Sequence, residues 1–306
     1  MRLGIVDSMF EQLATSYTNS ATNSDWLRNA CSAIETEMMQ LSIDTWEQLP
    51  SDSGIVIRAI TSDKTPIYIK ASPPGEETNS AIQCLVNTVH PQLVNCLYAD
   101  VNLGIHILAN VPGALISQNA NSEEELGAVG SLLNVLNSLH ISVNMIPLDR
   151  WCRDLLHPGR TLPEAISVNI RRCQMLLSTA PPDAWLHGDL HHGNIIQNSE
   201  TGILVAIDPK GLVGEPSFDI CTFVRNHIPD PLDDASLSAF LERRIRIIGC
   251  AAGYPSDRAF AWAAAGNALS LVWDLTDTAK PTTESQKHLL RILMRLNDLA
   301  ERYGTV

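Results

Sequence analysis

The chain lacks any paired-cysteine motif. Its seven cysteines, at positions 31, 84, 96, 152, 173, 221 and 250, are odd in number and scattered, with no Cys-x-x-Cys. That argues against a disulfide framework or a cysteine-held zinc site and fits buried free thiols in a reducing compartment. Basic clusters are equally scarce. Asp and Glu total 34 against 21 Lys and Arg, a formal charge of −13, and the one dense basic run is Arg243-Arg244-Ile245-Arg246. Binding a phosphate backbone needs the opposite balance, so no nucleic-acid partner is expected. A cationic ligand suits the charge better. Long apolar runs are missing too. Ala259–Leu275 is broken by Gly266, Asn267, Ser270 and Asp274, falls short of the roughly 20 residues of a membrane span, and reads as a buried helix. Met1-Arg2-Leu3 runs into Asp7 and Glu11 without an apolar leader, so a soluble cytoplasmic protein is expected. Finally, neither G-x-x-x-x-G-K-S/T nor G-x-G-x-x-G occurs, so any phosphate clamp must be built another way.

What is present changes texture along the chain. Residues 1–48 have a helical pattern, with Trp26, Leu27, Ala30, Ile34 and Met38 recurring at helical spacing behind a candidate N-cap, Ser24. Two β-rich runs follow, 54–60 and 66–70, joined by the turn-like Ser62-Asp63-Lys64-Thr65. The loop 71–77 opens a helix through about Val89, and apolar runs at 94–97 and 103–108 complete a small antiparallel sheet. From Pro112 the pattern is mostly helical. Ser122 and Glu125 have the spacing of a capping box ahead of Leu126, Val129, Leu133, Leu136 and Leu139. A hairpin interrupts it, with Ile195-Ile196 and Ile203–Ile207 flanking the turn 198–202. The expectation is an α+β protein of two lobes, an N-terminal lobe in 1–109 (helical lead-in 1–48, then a small β lobe) and a mainly helical lobe in 110–306.

The chemically informative stretch is Trp185–Asn194 followed by Ile207–Lys210. Gly188 and Gly193 keep it from forming a regular helix. The hairpin's return strand carries Asp208 back beside Asn194, so Asp189, Asn194 and Asp208 converge as two carboxylates and an amide oxygen. Hard oxygen donors of this kind suit Mg²⁺ on substrate phosphates, and one carboxylate can stay free of metal to receive a hydroxyl proton. Phosphoryl transfer uses such a set. His187, His191 and His192 also invite a zinc reading, but they sit on a glycine-broken loop without cysteine partners. Lys210 reads as a phosphate-steering group or as the partner of an acid.

The stretch resembles the kinase catalytic loop in its small-molecule form, His-Gly-Asp-x-x-x-x-Asn. That resemblance implies that Asp189 is the base, that Asn194 and Asp208 hold the metal, and that His187 pins the loop. It further implies a lysine on a small-lobe strand paired with a glutamate of the inserted helix, which points to Lys70 with Glu77, Glu76 being the neighbouring choice. The loop 50–54 is then expected over the phosphates and Leu108-Ala109-Asn110 at the adenine hinge. More specifically, residues 186–194, 206–214, Phe218-Asp219, Arg225-Asn226 and 268–273 resemble the aminoglycoside/hydroxyurea resistance kinase family, whose best-known members are streptomycin 6-phosphotransferases. The likeness implies a bilobal protein-kinase-like fold, ATP and Mg as cofactors, and a small cationic substrate such as streptomycin, with Asp219 bracing the loop. The chain departs from the family at the hinge, where it reads Ile107-Leu-Ala-Asn110. Acids suited to a polycationic ligand are Asp230, Asp233, Asp234, Asp274 and Asp277, with solvated helix faces as their ordinary alternative. Trp273 reads as a core residue or as an apolar wall for a sugar ring. Hydroxyurea or a metabolic alcohol as acceptor, and a nucleotide-binding module without turnover, are the competing readings.

Overall fold

The computed structural model describes residues 24–51, 54–117, 120–141, 144–275 and 283–304. It divides into two compact units, one reaching to Pro112 and the other made of Gly113–Ile141 and the chain from Met145 onward.

In the first unit, helix α1 (Ser24–Gln40) precedes a five-stranded antiparallel sheet ordered β1-β2-β3-β5-β4. Its strands are β1 (Ile43–Leu49), β2 (Ile55–Thr61), β3 (Pro66–Ala71), β4 (Cys96–Asp100) and β5 (Ile105–Ala109). Helix α2 (Glu76–Val86) is inserted after β3. Alternation along each strand sends Ile55, Ile57, Ile67, Ile69, Ile105 and Ile107 to one buried face. The register Ile57↔Ile69↔Ile107 lines them up across three strands, and Leu27, Ala30, Cys31 and Ile34 of α1 join the same core. Each such isoleucine contributes about 1.5–3 kcal/mol by leaving water.

The structure corrects one expectation here. The helical pattern does not run to residue 48: the helix ends at Gln40, Ser42 takes a left-handed φ of +52°, and β1 begins at Ile43. Ile43 and Trp46 are three apart, a spacing that a helix places on one face. A register shift between Ile43 and Thr45 lets an edge strand bring both to the core instead.

The second unit opens with β6 (Gly113–Leu115) and helix α3 (Glu123–Asn137). The Ser122–Glu125 capping box forms as its spacing predicts, with the Glu125 amide donating to Ser122 Oγ and the Ser122 amide donating to Glu125 Oε2. Two three-stranded sheets follow. One is ordered β10-β9-β6, from β9 (Ile195–Asn198) and β10 (Leu204–Ala206); the other is β7-β11-β8, from β7 (Ile146–Pro147), β8 (Ala184–Leu186) and β11 (Leu212–Gly214). The remaining helices are α4 (Leu148–Trp151), α5 (Arg153–Leu156), α6 (Glu164–Ser178), α7 (Ile220–Arg225), α8 (Asp234–Ala252), α9 (Ser256–Asp274) and α10 (Glu284–Tyr303). The apolar stretch from Ala259 is the buried helix α9, with Trp262, Ala265 and Leu269 in a core shared with Leu186, Leu212 and Phe218. No described helix is long and apolar enough to cross a membrane.

Two arginines shape this unit. The basic run 243–246 is not a surface patch at its centre, because Arg244 is fully buried. It donates to the carbonyls of Phe223, Val224, Asn226 and His227 at the C-terminal end of α7 and lies over the Phe240 ring. Phe223 O also accepts the Asn226 amide; the last carbonyls of a helix lack intrahelical donors, and a cation suits that end. Arg258 pairs with Glu215, whose side chain is 0% exposed, and also donates to Leu176 O. Arg258→Met would strand a buried carboxylate, and is expected to cost about 3–5 kcal/mol in urea unfolding.

Candidate active site

The loop 187–194 is held at both ends by the second unit. It leaves β8, whose Leu186 pairs with Leu212 of β11, and enters β9 through a short 3₁₀ turn at His192–Asn194. Gly188 has φ +79°, and a Cβ there would meet Leu212 Cδ1 at 2.8 Å. Only glycine allows both the conformation and the approach.

Three hydrogen bonds tie together the segments that carry Asp189, Asn194 and Asp208. Asn194 Nδ2 donates to the main-chain oxygen of Asp189 (2.9 Å), the Ile207 amide donates to Asn194 O (2.9 Å), and the Lys210 amide donates to His187 O (2.7 Å). The turn carrying Asp208 is thereby tied to both ends of the loop. Asp208 is exposed and itself left-handed at φ +61°, a conformation that aspartate tolerates better than most residues and that clusters at functional sites. With Nδ2 engaged, the acceptor Oδ1 of Asn194 is directed away from the Asp189 carbonyl.

The site's electrostatics follow from burial. Desolvation raises the Asp189 carboxyl above its ordinary range, opposed by the charges of His191, Lys210 and Arg225. A base gains proton affinity this way. His187 is fully buried; its Nε2 donates to Ile207 O and its Nδ1 accepts the Asp189 amide. Burial holds it down to about 4, so it is a neutral pin. Asp219 is buried as well and accepts from the amides of His187 (2.9 Å) and Gly188 (2.7 Å).

An oxygen pair from Asn194 and Asp208 fits a hard cation whose other ligands are phosphate oxygens and water. Among the described residues no group of three or more His, Cys, Asp or Glu is arranged to hold a metal. His187 is committed as above, His191 Nδ1 accepts the Gly193 amide, and His192 stacks on Phe223 at 4.0 Å.

The other expected residues are distributed as follows. Lys70 lies on β3 opposite Ile67 and Ile69, in register with Val56 and His106. Glu76 and Glu77 form the exposed first turn of α2, and Ala109 ends β5 just before Asn110. All belong to the first unit. Of the loop 50–54, residues 52 and 53 lie outside the described residues, as does Asp277. Asp233 caps α8, accepting the Ser236 amide, and Asp234 pairs with Arg291, whereas Asp230 and Asp274 are exposed. Trp273 is 41% exposed rather than core. It meets Trp151 edge-on at 5.3 Å and donates from Nε1 to Asp154 Oδ2. Trp151 and Asp154 carry no sequence motif of their own and emerge only from packing.

Comparison with known proteins finds relatives in sequence and in fold. The model of a family described as "Aminoglycoside/hydroxyurea antibiotic resistance kinase" matches residues 118–278. A streptomycin 3''-kinase of Klebsiella pneumoniae is 30% identical over 193 residues, covering 56% of this chain and 70% of its own. A streptomycin 6-kinase of Streptomyces glaucescens is 25% identical over 290 residues, covering 87% and 91%. In fold, the chain is similar to an amicoumacin kinase solved with AMP-PNP, Ca²⁺ and Ami (TM-score 0.62, 12% identity, 94% and 96% covered).

Proposed function

The chain belongs to the aminoglycoside/hydroxyurea antibiotic resistance kinase family, a phosphotransferase acting on a small-molecule hydroxyl, and from that membership we propose that it transfers the γ-phosphoryl group of ATP to the 6-hydroxyl of streptomycin. The observation that carries the reading is the bonded convergence of Asp189, Asn194 and the Asp208 turn. The 6-position is preferred because the 6-kinase likeness spans 87% of the chain and the 3''-kinase likeness 56%.

In this reading the Asp189 carboxylate orients the acceptor hydroxyl and takes its proton as the oxygen attacks the γ-phosphorus. The bond from that phosphorus to the β,γ-bridging oxygen breaks, and ADP leaves. Asn194 Oδ1 and the Asp208 carboxylate would hold Mg²⁺, which would offset phosphate charge. Lys70, steadied by Glu77, fixes the α- and β-phosphates, and the strand end at Ala109-Asn110 receives the adenine. His187 and Asp219 hold the loop, so that most of the catalytic advantage comes from positioning and fixed charge.

A polycationic acceptor is supported by the net charge of −13 and by the Trp273–Trp151 pair with Asp154, which joins an aromatic face to a carboxylate. Asp274 and Asp230 add exposed charge nearby in sequence to Trp273 and to α8. The test is ADP release with Mg-ATP across streptomycin, hydroxyurea and simple alcohols, with the product's phosphorylated position read by NMR. Streptomycin is expected to turn over, and Trp273→Ala to raise its KM about tenfold while leaving the KM for ATP unchanged. An inert streptomycin beside an active hydroxyurea or metabolite would overturn the acceptor assignment.

A further inference from the structure

Beyond Asp219, the hydrogen bonds at the loop continue to two residues far away in the sequence. Asn137 is the last residue of α3. Its Nδ2 donates to Trp185 O (2.9 Å) and to Asp219 Oδ2 (3.1 Å), while its Oδ1 accepts from the Tyr254 hydroxyl. The amide orientation is fixed by chemistry, because a flip would turn Oδ1 toward two acceptors. Tyr254 reaches it because Gly253 ends α8 in the left-handed conformation and the Tyr254 amide returns to Gly249 O. Its side chain is thereby directed inward, leaving the residue 9% exposed.

We propose that Asn137 and Tyr254 are positioning residues for phosphoryl transfer. Their chain grips the peptide ahead of the base from both sides. Asn137 holds the carbonyl of Trp185 directly, and through Asp219 it holds the amides of His187 and Gly188. Gly188 is left-handed and immediately precedes Asp189, so a small rotation there swings the carboxylate off the acceptor. The Tyr254 hydroxyl keeps Asn137 from turning. Burying a phenol costs stability unless it is hydrogen-bonded, and here its partner is the amide that carries the chain onward. A tyrosine needed only for its bulk has no use for that bond.

This inference rests on Asp189 being the base, so the experiment separates the two. Tyr254→Phe keeps the ring and removes the hydroxyl. Asn137→Asp keeps the shape but replaces the donor with a second carboxylate beside Asp219. Steady-state kinetics are measured with Mg-ATP and whichever acceptor of the panel turns over, and hydrogen–deuterium exchange is followed in peptides spanning 185–190 of the full-length protein. Tyr254→Phe is expected to lower kcat about tenfold and Asn137→Asp about 100-fold, the scale on which a misplaced group loses rate. KM for ATP should stay within twofold, and exchange at His187 and Gly188 should accelerate. A purely structural role would lower the melting temperature and leave both kcat per folded molecule and loop exchange unchanged; that result overturns the proposal. If the wild-type protein transfers phosphate to no acceptor, the kinase reading of Asp189 fails, and the exchange data alone decide whether the chain of bonds sets the loop.

Discussion

Asp189→Ala is expected to lower kcat by about 10²–10⁴-fold, the range a positioned general base contributes, while leaving nucleotide affinity near that of the unaltered protein. The separation follows from which atom of Asp189 is used for what. Asn194 is held through the main-chain oxygen of Asp189 and not through its carboxylate. Removing the side chain therefore leaves the Asn194 amide where it is, and the Ile207–Asn194 bond that places the Asp208 turn is untouched. The groups assigned to metal and phosphates survive; only the proton acceptor is gone. Titration calorimetry with AMP-PNP and Mg²⁺, beside ADP release under saturating acceptor, reads both halves. Wild-type turnover in this variant would remove Asp189 from the mechanism, and loss of nucleotide binding would mean that its carboxylate holds the phosphates instead.

What the sequence made legible was chemistry packed into short segments. The loop 187–194 and the hairpin to Asp208 are contiguous, so glycine spacing and a turn signal sufficed to predict their convergence. The capping box at Ser122 and Glu125 and the alternating strands of the first unit are also local, and the first unit's sheet forms with the inserted helix where that pattern implies. Residue spacing misplaces the end of α1 because Ile43 and Trp46 satisfy a helical spacing and a bulged strand equally, and only pairing with β2 decides between them. Long-range packing left no such trace. Nothing near Asn137 or Tyr254 in the sequence indicates that they meet each other and Asp219. Arg244 was hidden inside a run that reads as solvated charge, and Trp273 is exposed although its neighbours along α9 are core. Each is set by tertiary context, which residue spacing alone does not encode.

Asp219→Asn is expected to lower kcat by about 10²-fold or more, because the carboxylate's two oxygens accept from three donors. These are the amides of His187 and Gly188 and the Asn137 side chain. An asparagine offers one acceptor oxygen and must aim an NH₂ at one of those donors. The same residue sets a pH dependence whose two parts run in opposite directions. Burial pushes Asp219 up to about 6 from an ordinary value of 3.8, with the three hydrogen bonds pulling the other way. The folded protein thus binds this proton more tightly than the unfolded chain. Its contribution to stability is fully present below pH 3.8 and is lost as pH rises through about 6. Activity needs the ionised form and rises across the same window. In the Asn variant the stability difference from wild type should therefore shrink or reverse between pH 4.5 and pH 7, read by urea unfolding at the two values. His187, held down to about 4, contributes with the opposite sign, its stabilisation being lost as pH falls through that value. It is present in both proteins and so cancels in the difference to first order. The acid limb of kcat that remains in the variant belongs to Asp189. Wild-type kcat at neutral pH in Asp219→Asn would show that the loop keeps its shape without the carboxylate, and the bracing role would then pass to the main-chain bonds from Ile207 and Lys210.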